Sequence, residues 1–312
     1  MTRQPRASKA AATAPARRPR TTRRATPGTE FGAPAEGGND EDAATTGRDV
    51  RNVRLPLGGD RLFIGSVAKS FQILELLSAS GRGLTLMELA ERSGLGKSAT
   101  QRAAHTLRVL GYLSQHPDTR AYSLSYRMLE LTHTVLAEDR VRMASLPHLE
   151  ALSHACGETV NLTRLAGTEI VFIARFPSRH SVSVDLHIGS RLPAYCTAPG
   201  RAILSRLPDD EAKRLIAASD RKALTPNTVT DPRRLWSLLL EARKRGFALN
   251  NQESQIGDVA IGAPLLDRGG RVVGAINIAA PSPRLSITRL QQRHGADLMR
   301  TAAEISRSLG FI

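Results

Sequence analysis

The chain has 312 residues and a mass of 33.7 kDa, which is too long for one small core and fits two domains. Its net charge of +15 favours a polyanionic partner, whereas an aromatic content of 4% argues against stacking on single-stranded nucleic acid. No apolar run approaches about 18 residues, so no membrane partner is expected. With two cysteines and no secretory signal, the sequence predicts a cytoplasmic protein without disulfides or cofactor.

Residues 1–60 are predicted to be a disordered basic tail, because they are rich in Ala, Thr, Pro, Gly and Arg and show no hydrophobic period. Residues 1–24 contain eight basic and no acidic side chains. The tail is either an arm that binds phosphates or a solvated segment that raises solubility. The other 252 residues have 33 basic and 22 acidic side chains, so the positive charge is not confined to the tail.

Three helices are predicted after the tail. Ser66 is expected to cap the first, and the pairs Thr85–Glu88 and Ser98–Gln101 match the capping-box pattern for the second and third. Short extended segments at Tyr112–Gln115 and Ala121–Leu124 then flank a turn. Three helices and a hairpin predict a winged helix-turn-helix domain at residues 61–125.

The third helix is the strongest candidate for the helix that recognises DNA. An inner face of Ala99, Ala103, Leu107 and Leu110 leaves an outer face that contains no acidic residue. Arginine, glutamine and hydroxyl side chains on such a face suit the major groove, whereas a solvated face normally mixes Glu with Arg. Arg120 in the wing turn is expected to reach a phosphate or the minor groove. The predicted DNA contacts are Lys97, Ser98, Thr100, Gln101, Arg102, His105, Arg108 and Arg120.

A linker helix is predicted at residues 126–145. It is expected to run from Tyr126 to about Arg142, and Pro147 should interrupt it. The positions expected to face inward are Met128, Leu131, Val135 and Leu136.

Residues 146–312 are predicted to form a mixed α/β domain. Strands are expected at Thr159–Leu165, Glu169–Phe176, Ser181–Ile188, Phe247–Asn250, Val259–Leu266 and Arg271–Ala279. Helices are expected at Pro199–Leu207, Asp209–Ser219 and Pro232–Arg245, and a last one is capped by Ser286.

A pocket is predicted where residues 196–200 lead into a helix, because free backbone N–H groups at a helix start favour an anion. The alternative is an ordinary helix start in a core. Cys196 is either a pocket-lining thiol or a nucleophile, although no base, metal-ligand spacing or hydrolase motif accompanies it. The residues expected to line the pocket are Cys196, Thr197, Ala198, Pro199 and Gly200, with Asn250, Asp258, Ala260, Asn277 and Ala279 opposite.

Residues 62–312 resemble the IclR family of bacterial transcriptional regulators. The stretches that carry the resemblance are Leu110–Leu113, Tyr122–Ser125, Gly189–Ala202 and Gly246–Asp267. The resemblance implies an α+β chain: a winged helix-turn-helix, a linker helix and a GAF-like effector-binding domain. It also implies homodimers or dimers of dimers on a palindromic operator, and an organic or aromatic acid as effector, with Val182 and Val184 in the pocket wall.

The blocks Ser183–Tyr195 and Asn251–Glu253 look closest to regulators of aromatic-acid and β-ketoadipate catabolism, but the pocket departs from the family. Asn250, Ala260 and Asn277 stand where Asp, Cys and Ser are frequent, and Asp258 stands where an apolar residue is common. We therefore expect an altered pocket, in which Arg175 or His187 neutralises the acid.

The leading hypothesis is an effector-responsive DNA-binding regulator, a repressor or dual regulator of a catabolic operon. The alternatives are a cysteine-dependent enzyme fused to a winged helix, and an architectural DNA binder without effector.

Overall fold

The computed structural model describes residues 61–179 and 186–311. The predicted tail, at residues 1–60, lies outside the described residues. Among the residues that are described, no helix is long and apolar enough to cross a membrane.

The first part of the fold is a winged helix-turn-helix, as predicted. Its helices bury a common apolar core that includes Ile73, Leu89 and Leu107. A two-stranded antiparallel hairpin follows, with Leu113 opposite Leu124. The elements are α1 (Gly65–Ser80), α2 (Leu86–Ser93), α3 (Lys97–Val109), β1 (Leu113–Gln115) and β2 (Tyr122–Leu124).

One of the three caps predicted for the winged helix-turn-helix is confirmed. The Thr85 hydroxyl accepts the N–H of Glu88, and the Glu88 carboxylate accepts the N–H of Thr85. The predictions for Ser66 and Ser98 are wrong, because α1 begins at Gly65 and α3 at Lys97. Both serines lie inside the first turn and not at the cap position, where a side chain can accept a free N–H.

The linker differs from the prediction. Helix α4 (Arg127–Glu138) ends at Asp139, and α5 (Arg140–Cys156) continues through Pro147. Asp139 has an extended backbone and its carboxylate accepts the N–H of Arg142 at 2.8 Å, so it begins α5. The proline removes one hydrogen bond, but Leu149 and Leu152 remain buried against the sheet and hold the helix.

Helix α4 has no buried residue. Leu131 and Val135, which were expected to face inward, are 53% and 70% exposed. Met128 and Leu136 are half-buried against the neighbouring cores, so the inward prediction is right only for them.

A six-stranded antiparallel sheet forms the second part, in the order β5-β4-β3-β8-β7-β6. Its strands are β3 (Thr159–Ala166), β4 (Glu169–Phe176), β5 (Arg191–Pro193), β6 (Ala248–Asn251), β7 (Asp258–Leu266) and β8 (Val272–Pro281). The predicted strand Ser181–Ile188 is not supported, since residues 186–188 are outside any strand and residues 181–185 lie outside the described range. The sequence analysis missed β5, which has only three residues.

The two faces of the sheet are covered differently. Helices α5 and α9 (Ile287–Ser308, capped by Ser286) bury one face, which carries Leu162, Ile276 and Ile278. The other face packs against α6 (Ala198–Leu204) and α8 (Pro232–Arg245), with α7 (Asp209–Ala218) beside α8.

Gly262 lets α6 approach this second face. A Cβ built on Gly262 would lie 2.7 Å from the carbonyl carbon of Ala198 and from the nitrogen of Pro199. No real Cβ tolerates such contacts with backbone atoms, so any larger residue would push the start of α6 off the sheet. This close packing positions one wall of the cavity described below.

Candidate DNA-reading and effector-binding sites

The outer face of α3 presents basic and amide side chains to solvent. Lys97, Ser98, Gln101, Arg102, His105 and Arg108 are all exposed, as the sequence analysis predicted. A groove runs between this face and the wing, and no acidic residue lines it. The groove is lined by Gln101, Arg102, His105, Thr106, Arg108, Gln115, Arg120 and Tyr122.

Thr100 does not belong to this face. It is fully buried, and its hydroxyl donates to the carbonyl of Gly96 at 3.3 Å. The buried stripe of α3 is Thr100, Ala103, Ala104 and Leu107, whereas Leu110 is 50% exposed. The prediction is right for Ala103 and Leu107, but it put the apolar Ala99 in the place of the polar Thr100.

The wing turn holds Arg120 beside the groove. Arg120 has a left-handed backbone with φ of 57°, a conformation that few residues other than glycine adopt. The Gln115 side chain donates to the Arg120 carbonyl at 2.9 Å, and the Arg120 N–H donates to the His116 carbonyl at 3.0 Å. These bonds hold the turn and leave the Arg120 side chain exposed.

The second site is a cavity of about 520 Å³ on the face of the sheet next to α6. Most of the predicted pocket residues line it, and so does Arg175, whereas His187 is outside the lining. Asn161 also lines the cavity and was not predicted, because its sheet partner on β8, Asn277, is 116 residues away in the sequence. The predicted residues in the lining are Thr197, Ala198, Pro199, Asn250, Asp258, Ala260, Asn277 and Ala279.

Four predicted pocket residues are not among the lining residues of the described structure. Val182 and Val184 are outside the described residues, and neither Cys196 nor Gly200 lines the cavity. Cys196 is fully buried, and desolvation raises the pKa of its thiol to about 12. The thiol is therefore protonated at neutral pH and is unsuited to nucleophilic catalysis.

The start of α6 offers fewer free donors than predicted. The Gly200 N–H donates to the Thr197 hydroxyl at 3.3 Å, and Pro199 has no N–H. Gly200 is required for packing, since a Cβ there would lie 2.3 Å from the Ala194 carbonyl oxygen. Two of the N–H donors that the prediction assumed at this helix start are therefore not available to a ligand.

A chain of hydrogen bonds crosses the floor of the cavity. Arg175 donates to the Asn161 amide oxygen at 3.0 Å, and the Asn161 amide nitrogen donates to the Asn277 oxygen at 3.4 Å. Because arginine can only donate, it fixes the orientation of both amides. The NH₂ group of Asn277 is thus a donor at the end of the chain.

Asp258, the first residue of β7, lies beside Asn250 of β6. The Asn250 amide oxygen accepts the N–H of Glu253 at 2.9 Å. Its amide nitrogen therefore donates, to the Ser254 hydroxyl at 3.1 Å and to Asp258 at 3.4 Å. Desolvation raises the pKa of Asp258 to about 6, and the charge of Arg175 offsets this only in part.

A buried ion pair fixes the loop of residues 252–257, part of which lines the cavity. The Arg201 guanidinium donates to both oxygens of Glu253, at 2.6 and 2.5 Å, and both side chains are buried. Arg201 also donates to the carbonyls of Tyr195 and Leu249, and Glu253 accepts the N–H of Val229 at 3.1 Å. One pair therefore joins four segments of the chain.

Removing one member of this pair should destabilise the fold strongly. We expect Arg201→Met to lower the free energy of unfolding by about 3–5 kcal/mol, because it leaves the Glu253 carboxylate buried without a cation. The double variant Arg201→Met/Glu253→Leu should recover much of that loss in urea unfolding. As a control, Arg234→Met breaks the exposed pair with Glu241 and should cost less than about 1 kcal/mol. Equal losses for the two single variants would contradict the prediction.

The raised pKa of Asp258 should make stability depend on pH. The folded chain takes up a proton at about pH 6, whereas the unfolded chain does so at about 3.8. The stability contributed by protonated Asp258 is therefore present below pH 3.8 and is lost as the pH rises through 6. Relative to wild type, Asp258→Asn should gain roughly 1–3 kcal/mol of unfolding free energy between pH 4 and 7.5. A difference that stays constant across this range in urea unfolding would refute the shift.

Comparison with known proteins identifies the family. The model of the IclR helix-turn-helix domain matches residues 66–117, and that of the bacterial transcriptional regulator IclR C-terminal domain matches residues 133–307. The Pca regulon regulatory protein of Pseudomonas putida is 31% identical to the chain over 252 residues, covering 80% of the chain and 86% of that protein. The p-hydroxybenzoate hydroxylase transcriptional activator of Acinetobacter baylyi is 28% identical, covering 78% and 91%.

Solved structures agree. The crystal structure of Thermotoga maritima IclR matches 80% of the chain and 100% of its own, with a TM-score of 0.66 and 29% identity. The families and relatives found are transcriptional regulators and not enzymes, so the alternative of a cysteine-dependent enzyme is not supported. The chain belongs to the IclR family of bacterial transcriptional regulators and is a DNA-binding regulator.

Proposed function

We propose that the chain controls a catabolic operon, as a repressor or dual regulator, by reading a palindromic operator through the outer face of α3. The observation that carries this proposal is the exposed, acid-free face of that helix together with the groove beside it. The major groove of DNA admits one α-helix, and its base edges accept hydrogen bonds from arginine and from glutamine.

The proposed DNA contacts fall into base contacts and phosphate contacts according to their position. Arg102 and Gln101 line the groove, and their side chains suit contacts to base edges. Lys97 and Ser98 lie in the first turn of α3 and are suited to phosphates, as is Arg120 in the wing. Phosphate contacts set the register, and base contacts set the sequence preference.

A small organic acid in the cavity is the proposed effector. The cavity contains Arg175 and the donor amide of Asn277, which suit a carboxylate, among apolar residues such as Ile170, Phe172 and Leu192. The name of the A. baylyi relative, an activator of p-hydroxybenzoate hydroxylase, supports regulation of aromatic-acid catabolism.

A second copy of the chain is the proposed partner for α4. Leu129, Leu131 and Val135 of this helix are all more than half exposed, and we call them the linker patch. A palindromic operator requires two reading helices related by two-fold symmetry, which a homodimer or a dimer of dimers provides.

The proposed route from effector to DNA passes through the break between α4 and α5. The Arg164 guanidinium on β3 pairs with Asp139 at 3.2 Å, and Arg142 donates to the Ile173 carbonyl on β4 at 2.9 Å. The same two strands carry Asn161 and Arg175 in the cavity. Effector binding that shifts these strands would change the population of dimer arrangements and hence operator affinity.

Arg102→Ala tests the reading helix. We expect it to remove the preference for operator over random DNA, with operator affinity falling by about 1–3 kcal/mol, because a base contact is lost. Fluorescence anisotropy with both DNAs measures this, and Arg289→Ala, an exposed arginine on α9, serves as the control. An equal loss on both DNAs would make Arg102 a phosphate contact only, as an architectural binder requires.

Val135→Asp tests the linker patch. A charge buried between two copies is costly, so the variant should dissociate towards a monomer of 33.7 kDa, whereas wild type should have at least twice that mass. Light scattering coupled to size exclusion measures both. Met87→Asp, at an exposed apolar position on α2, should leave the mass unchanged. If wild type is itself a monomer, the proposed dimer is wrong.

A further inference from the structure

We infer that Asp258 selects effectors that carry a hydrogen-bond donor, a hydroxyl or an amino group, in addition to their acid group. This inference rests on the proposed acid effector and adds to it the class of acid that the cavity recognises. Three features of the cavity support it. The Asp258 carboxylate accepts few hydrogen bonds, the Asn277 amide is a donor at a distance from it, and small alanine residues lie between the two.

The acceptor is the Asp258 carboxylate. Its hydrogen bond from Asn250 is long, at 3.4 Å, and Asn250 is held in place by its bonds to Glu253 and Ser254. Within residues 61–179 and 186–311, no second group donates a hydrogen bond to this carboxylate. An ionised carboxylate has about four acceptor positions, so Asp258 faces the cavity with most of its capacity unused.

The donor is the amide of Asn277. Its orientation is fixed by the chain of hydrogen bonds from Arg175 through Asn161, so its NH₂ group can bind an acceptor and its oxygen is already engaged. A ligand carboxylate is therefore favoured at Asn277 and Arg175. At Asp258 the same carboxylate would meet a like charge.

The sheet register keeps these two ends apart. Asn277 lies opposite Gly262 on β7, and Asp258 is four residues earlier on the same strand, about 13 Å along it. One functional group cannot contact both Asn277 and Asp258. Between them, Ala260 and Ala279 lie opposite each other and leave room for the body of a ligand.

These features favour an acid with a second, donating substituent. An acid without a donating substituent would remove solvent from Asp258 and give it no hydrogen bond in exchange. A site with buried hydrogen-bonding groups discriminates strongly against ligands that leave those groups unpaired. Hydrogen bonds to charged groups account for roughly tenfold to hundredfold differences in affinity. We expect a preference of that size.

The test compares matched acids on the full-length chain by isothermal titration calorimetry. The probes are benzoate and its 3- and 4-hydroxy and 3- and 4-amino derivatives, and hexanoate with its 6-hydroxy derivative, whose substituents lie far enough from the carboxylate to reach Asp258. In wild type, at least one substituted acid should bind about 10- to 100-fold more tightly than its parent. Comparing the hydroxy with the amino compounds identifies the donor.

Asp258→Asn should abolish this preference and bind the parent acids at least as well as wild type, because the repelling charge is gone. That gain would not follow from a merely structural role. Asp258→Ala provides a second variant if the asparagine perturbs folding, and thermal unfolding checks both. Asp210→Asn, the same change at an exposed position on α7, should keep the wild-type preference.

Two results would overturn the inference while leaving the acid effector in place: wild type binds acids without preference, or Asp258→Asn keeps the preference. A uniform weakening of all acids in Asp258→Asn would likewise assign Asp258 a structural role. If none of these acids binds to wild type, the proposed acid effector is itself wrong and the inference fails with it.

Discussion

The buried ion pair between Arg201 and Glu253 is the interaction on which the second half of the molecule depends. It joins α6 to the loop after β6 across 52 residues of sequence, and both side chains also bind backbone atoms of other segments. A guanidinium and a carboxylate that are both buried have little freedom to separate, because either one alone would be a costly buried charge. The pair therefore fixes the loop and α6, and with them two walls of the cavity.

Much of the fold could be predicted because its signals are local. Helix α8 has the bounds that the sequence predicts, since Asp231, Pro232 and Gly246 mark its ends. The predicted outer face of α3 is exposed apart from Thr100. This residue is buried, and because it is polar the sequence predicted it to be on the surface. The α+β architecture with a winged helix-turn-helix likewise agrees with the structure.

The features that could not be predicted depend on distant parts of the chain. Asn161 and Arg175 enter the cavity through the register of β3 with β4 and β8, which no local pattern reveals. The break at Asp139 replaced the expected one at Pro147, because an aspartate cap and the contact with Arg164 decide where α4 ends. In each case a tertiary contact outweighed the local preference of the residue.

Helix α4 has a consequence for how the two halves communicate. It is 12 residues long and buries none of them, and a helix of that length is marginal in water without tertiary packing. In the proposed dimer a second copy covers Leu131 and Val135 and stabilises the helix. Ordering the helix and associating the chains are then one thermodynamic event. Chain concentration then becomes a variable that controls how stiffly the DNA-reading part is joined to the cavity.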